Sequence, residues 1–258
     1  MEYHINFIKL ILISLLLTTV VKAKDIEFSI FELTNIAQKI YNNECAGKLK
    51  YLVYWNDAEN FASVGIGHFI WYPKGVKKEF DESFPKLLEF MKHQGLLIPK
   101  WLQDAKHNPW NSKEEMLKDP RSIELRDFLQ QTISVQALFI AKRLNKALPK
   151  ILNATDESRH DKITKMYDAV ANEKEGYYLL IDYVNFKGEG IKPSERYAGH
   201  GWGLLQVLEC MQETIKPKIE FARCAKKVLT QRVKNAPKDK NETKWLKGWF
   251  KRIDTYTK

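Results

Sequence analysis

Three acids, a hydroxyl residue and a glycine-rich turn fall close together early in the chain. They are Glu44, Asp57, Glu59, Ser63 and the segment Gly65-Ile66-Gly67-His68. Hydrolysis of a glycosidic bond takes one carboxylic acid to protonate the leaving oxygen and a second carboxylate to act on water or on the sugar cation. Glu44 is the candidate acid, and Asp57 or Glu59 the second carboxylate. Alternate residues of a strand share a face. Asp57, Glu59, Phe61 and Ser63 have the same parity, so a regular strand would put the Ser63 hydroxyl beside the acids, where it would position the attacking water. Gly65 and Gly67 would let that strand bend and let a sugar approach its backbone. The stereochemical outcome depends on the carboxyl separation, about 6.5–9.5 Å for inversion and about 5–5.5 Å for retention.

The elements that must hold these groups are legible around them. From Ser29 to Asn43 the residues Ile30, Leu33, Ile36, Ala37 and Ile40 recur at helical spacing, and Ser29 followed by Glu32 reads as an N-terminal capping box. Glu44 therefore belongs at the C-terminal end of a first helix. KYLVYW and FASVGIGHFIWY, rich in aromatic and β-branched residues and separated by the polar NDAEN, read as a hairpin or small sheet. Beyond Gly95 the pattern is almost wholly helical. The exceptions are the irregular IPKWLQDAKHNPWN and a glycine-rich loop in KGEGIKPSERYAGHG. With no internal repeat and no low-complexity linker, the expectation is one domain over residues 24–258, of α+β class, mostly helical with a small β-hairpin or sheet near its start.

The stretch NECAGKLKYLVYWNDAENFASVGIGHF resembles the active-site region of phage-type lysozymes. There a glutamate ends the first helix, an aspartate and a threonine follow in the hairpin, and a GIGH segment closes the motif. The resemblance implies a lysozyme-like fold and a muramidase-like glycosidase acting on peptidoglycan or a related amino-sugar polymer. It puts Asp57 in the aspartate position and Ser63 in the threonine position. Twelve residues separate Glu44 from Asp57, a longer spacing than the family shows, which keeps Glu59 as the alternative. GEGIKPSERYAGHGWGLLQVL is also similar to lytic transglycosylases and goose-type lysozymes, with Gly203-Leu204-Leu205-Gln206 in place of their GLMQ-like segment and Glu189 fourteen residues before it. The serine-rich stretch that follows the glutamate in that family is missing. This second similarity assigns Asn185, Glu189 and Gln206 to substrate contact, with Glu189 in reserve as an acid.

Other residues carry two readings each. His68 lines the site or buttresses the hairpin. Trp71, Tyr72, Trp202, Trp245 and Trp249 stack on sugar faces or belong to the core. The tail KWLKGWFKRIDTYTK contacts a membrane surface or anionic glycan, or packs on the domain as an amphipathic helix. No histidine, cysteine or acid spacing calls for a metal, and no motif calls for a cofactor.

Lys9, the apolar run Leu10–Val21 and Val21-Lys22-Ala23 read as an export signal over residues 1–23, which predicts a periplasmic or secreted protein. Residues 24–258 keep a net charge of about +9. That charge suits an anionic polymer and makes polycationic chitosan a poor partner, so chitosanase- or chitinase-like cleavage ranks second. The lysines are scattered, with no arginine-rich cluster, which excludes the usual nucleic-acid footprint. A glycan-binding protein of the same fold without turnover is the remaining alternative. Of the three cysteines, Cys210 and Cys224 on consecutive predicted helices are the expected disulfide pair, leaving Cys45 as a thiol.

Overall fold

The computed structural model describes residues 28–258, so the expected export signal lies outside the described residues. The first helix, α1 (Ile30–Cys45), begins with the capping box expected from the sequence. Ser29 Oγ accepts from the Glu32 amide at 3.2 Å, and Glu32 Oε2 accepts from the Ser29 amide at 2.9 Å. Its last turn holds Glu44, and Ala46 closes it in the left-handed conformation.

Three short antiparallel strands follow: β1 (Val53–Trp55), β2 (Ala62–Val64) and β3 (Phe69–Trp71), in the order β1-β2-β3. Val53 pairs with Val64 and Tyr54 with Ser63 across the first hairpin. Ser63 pairs with Ile70 across the second. The segment between Trp55 and Ala62 is turn rather than strand, so the alternation expected to align Asp57, Glu59, Phe61 and Ser63 does not run through it. Turn chemistry explains this. Asn56 Oδ1 accepts from the Ala58 amide, and the Asn56 carbonyl accepts from the Glu59 amide, folding the chain back on itself.

The rest is helical: α2 (Phe84–His93), α3 (Lys100–Gln103), α4 (Lys113–Lys118), α5 (Arg121–Gln131), α6 (Ile133–Asn153), α7 (His160–Ala171) and α8 (Gly176–Lys187). A two-stranded hairpin, β4 (Arg196–Tyr197) with β5 (His200–Gly201), precedes α9 (Leu204–Cys210), α10 (Pro217–Asn235) and α11 (Thr243–Ile253). The fold is thus α+β and mostly helical, with its small sheet near the N-terminus. Helix α8 is buried on nearly every face, from Tyr178 through Val184, and forms the centre around which α6, α7 and α9 pack. An all-round apolar helix takes that place because no face of it can be left to water. A disulfide joins Cys210 to Cys224, tying α9 to α10, and Cys45 is a buried thiol. No helix of the described residues is long and apolar enough to cross a membrane.

Candidate active site

Glu44 lies at the meeting point of α1, the Gly65–His68 turn, α8 and α11. Its side chain is 15 % exposed. Arg252 Nη2 lies 2.8 Å from Oε1. Asn185 Nδ2 donates to the same oxygen at 3.3 Å. Oε2 faces His68 Nδ1 at 3.7 Å. Burial outweighs the attraction of Glu44 and lowers the His68 pKa below its ordinary value, so the imidazole beside this carboxyl favours its neutral form. His68 also stands 3.8 Å through Nε2 from the Cys45 thiol, whose own pKa is pushed up to about 12 by burial and the adjacent Glu44 charge. A buried thiol held protonated is a poor nucleophile.

Behind Glu44 is a buried ionic centre that sequence reasoning missed. Asp182, fully buried on α8, accepts from Arg252 Nε and Nη2, both at 2.8 Å, and from the Tyr256 hydroxyl at 2.5 Å. Asn43 Nδ2 adds a longer bond to it at 3.3 Å. Burial works against the Arg252 charge, but Asp182 and Glu44 more than offset it and hold the guanidinium's pKa well above its ordinary value. An aspartate inside the apolar run YYLLIDYV was the available signal, since a carboxylate there needs a cationic partner.

Helix α6 links the two sequence motifs. Gln136 Oε1 accepts from the Ile66 amide at 2.9 Å, Ile140 packs against Gly67, and Arg143 and Lys150 reach Glu189 at 3.3 and 3.5 Å. Gly65, with φ +74°, is needed because a Cβ there would strike Gln136 Oε1. The space beside Gly65 and Gly67 is filled by Gln136, Phe69 and Ile140, so these glycines admit the protein's own side chains where a sugar was expected.

The two expected substrate-contact loops join in the same way. A Cβ on Gly203 would strike the Gly190 backbone, and one on Gly190 would strike the Gln206 side chain. Gln206 bridges them, accepting from the Gly203 amide at 2.9 Å and donating to the Gly190 carbonyl at 3.1 Å. Gln206 therefore braces the loop through both ends of its amide. Glu189 is clamped by Arg143 and Lys150. Burial raises its pKa, but the two cations win and hold the carboxyl below its ordinary value. Cations of α6 thus engage both oxygens of Glu189.

The remaining predicted residues divide. Asp57 is 82 % exposed and paired with Lys113 at 2.8 Å. Glu59 is half-buried, its pKa raised by burial. Ser63 is buried within β2. Trp71 and Tyr72 are fully buried and stack on no sugar. Trp71 packs among Phe84, Trp101 and Trp110, and Tyr72 meets Phe61 edge-on. Trp202 is likewise core, with Tyr197 on one side and the Arg232 guanidinium 4.0 Å from its ring centre. The tail packs on the domain as an amphipathic helix, burying Ile253 and Tyr256 and leaving Trp245 exposed. Among the described residues no His, Cys, Asp and Glu side chains group as a metal site.

Comparison of the chain with protein-family models, curated proteins and solved structures returns no match.

Proposed function

We propose that the chain is an exported glycoside hydrolase of lysozyme-like type, cleaving peptidoglycan or a related amino-sugar polymer, with Glu44 as general acid. The observation that carries this reading is convergence on one carboxyl. His68 of the GIGH turn and Asn185 of α8, three residues before the GEG loop, meet at Glu44, although 141 positions separate Asn185 from it. Arg252 and Asn185 occupy Oε1, which fixes the group and leaves Oε2 as the oxygen that presents a proton. Its neighbour His68 favours the neutral form, so the positive charge beside this carboxyl comes from Arg252 and not from the imidazole.

Glu59 is better supported than Asp57 as second carboxylate. A carboxyl whose pKa burial has raised is a stronger base, whereas Asp57 stands in solvent and is already neutralised by Lys113. The net positive charge supports an anionic wall polymer over chitosan.

The test is loss of turbidity of purified cell walls, comparing wild type with Glu44→Gln and Glu59→Gln. Clearing should fall by at least about a hundredfold in the first, the scale of a lost general acid. Equal clearing by Glu44→Gln would remove Glu44 from the mechanism. A second reading, glycan binding without turnover, rests on the groups at the Glu44 carboxyl, which among the described residues are a guanidinium, an amide and an imidazole but no second acid. Wall pull-down with no release of soluble sugar would favour it.

A further inference from the structure

A recess of about 400 Å³ opens where the end of α6, the β4–β5 hairpin, α9 and α10 meet. That volume is in the range of small-molecule sites. Its charge is lopsided. Arg159, Arg196 and Lys227 line it from three separate segments, against a single carboxylate, Glu209. Glu209 is already ion-paired with Arg159. Among the described residues Arg196 makes a long bond to the Gly190 carbonyl at 3.5 Å and pairs with no acid. Lys227 is exposed and has no acid partner among the described residues. Two cations from different elements thus face one cavity without counter-charge, the arrangement that captures an anion.

The rest of the lining narrows the class. Gln231 and His200 add hydrogen-bonding groups, Leu205 and Val228 add aliphatic surface, and no phenyl, phenol or indole ring is present. A nucleobase would find only the His200 imidazole and the guanidinium planes to stack on, whereas a compact polyol would find amide, imidazole and aliphatic contacts. We propose that this recess is a binding site for a sugar-sized, non-aromatic anion, a sugar acid or a sugar phosphate, with Arg196 and Lys227 holding the charged group. The site shares no side chain with the Glu44 cluster, and the proposal stands whether or not the chain cleaves glycans.

Titration calorimetry of the full chain at fixed ionic strength tests it, with glucuronate, glucose 6-phosphate, inorganic phosphate and glucose as probes. At least one sugar anion should bind at least tenfold more tightly than glucose. Glucuronate binding alone identifies a carboxylate site, and binding of both phosphates a phosphate site. Arg196→Ala/Lys227→Ala should weaken that binding at least tenfold, about 1.4 kcal/mol, with the unliganded melting temperature unchanged because both residues are exposed. Lys238→Ala/Lys240→Ala, which removes two exposed cations outside the recess, should leave it intact. Three results overturn the proposal: no probe binding at about 10 mM, glucose binding as well as the anions, or both double variants losing affinity alike.

Discussion

Arg252 and Asp182 form a two-point ion pair inside the domain, and the same guanidinium reaches Glu44 at 2.8 Å. The position of the candidate acid is therefore tied to a buried charge on α8. Asp182 also takes the Tyr256 hydroxyl, so α8, α11 and the C-terminal turn meet at one carboxylate.

Removing the guanidinium leaves Asp182 uncompensated. Arg252→Ala is expected to cost about 3–5 kcal/mol, the scale for breaking one side of a buried pair. Urea unfolding measures it. Arg252→Lys keeps a charge but cannot serve both oxygens of Asp182, and should fall between the two. Glu44→Gln, whose side chain is not fully buried, should lose far less. Equal losses in Arg252→Ala and Glu44→Gln would show that Asp182 is not the main client of the guanidinium.

His68 gives the fold an acid-side dependence. Its folded pKa is lowered from 6.5, so between the two values the unfolded chain holds a proton that the folded chain does not. Stability from this group is complete above about pH 6.5 and is lost as pH falls through the folded value. Melting temperature against pH should slope downward on the acid side of 6.5. His68→Gln should flatten that slope, and an NMR titration of the imidazole should give a midpoint below 6.5.

Lys187 is a buried ammonium in contact with the rings of Trp249 and Phe186, at 3.5 and 3.9 Å from their centres. Burial, helped by Arg232 and Arg252, lowers its pKa well below 10.5. From that lowered value up to 10.5 the unfolded chain binds the proton more tightly, so this residue's contribution to stability grows as pH rises. Lys187→Met, of similar length and uncharged, should stabilise the protein by on the order of 1 kcal/mol at neutral pH. An unfolding curve at pH 7 showing a loss would mean that the ring contacts outweigh the burial of charge.

Two tryptophans that read alike in the sequence should separate cleanly. Trp71→Ala empties a fully buried site and should cost about 3–5 kcal/mol. Trp245→Ala, on the exposed face of α11, should change stability by no more than about 0.5 kcal/mol. If the tail meets a membrane or glycan surface, Trp245→Ala should weaken that binding in a vesicle or wall sedimentation assay, while the fold stays intact.

The first helix, its capping box and the fold class were legible because periodicity and capping are local. The strands were legible as a hairpin, but their extent was not. Parity predicted a common face for Asp57 through Ser63, and the Asn56 turn breaks that face after Trp55. Convergence of Glu44 with Asn185 and Arg252 depends on how α1, α8 and α11 cross, which no window of sequence contains. The close approaches made at Gly65 and Gln206 escaped the sequence for a related reason. Both residues serve close approach between segments, Gly65 to Gln136 and Gln206 to Gly190, and a single segment does not name its neighbour.

Arg252 lies 208 positions after Glu44. Synthesis runs from the N-terminus, so a chain still being made carries its candidate acid, hairpin and central helix long before the guanidinium that positions the acid. Asp182 stays uncompensated until that last helix docks. The centre is therefore incomplete until α11 docks, and any fragment lacking α11 holds the acid without its anchor.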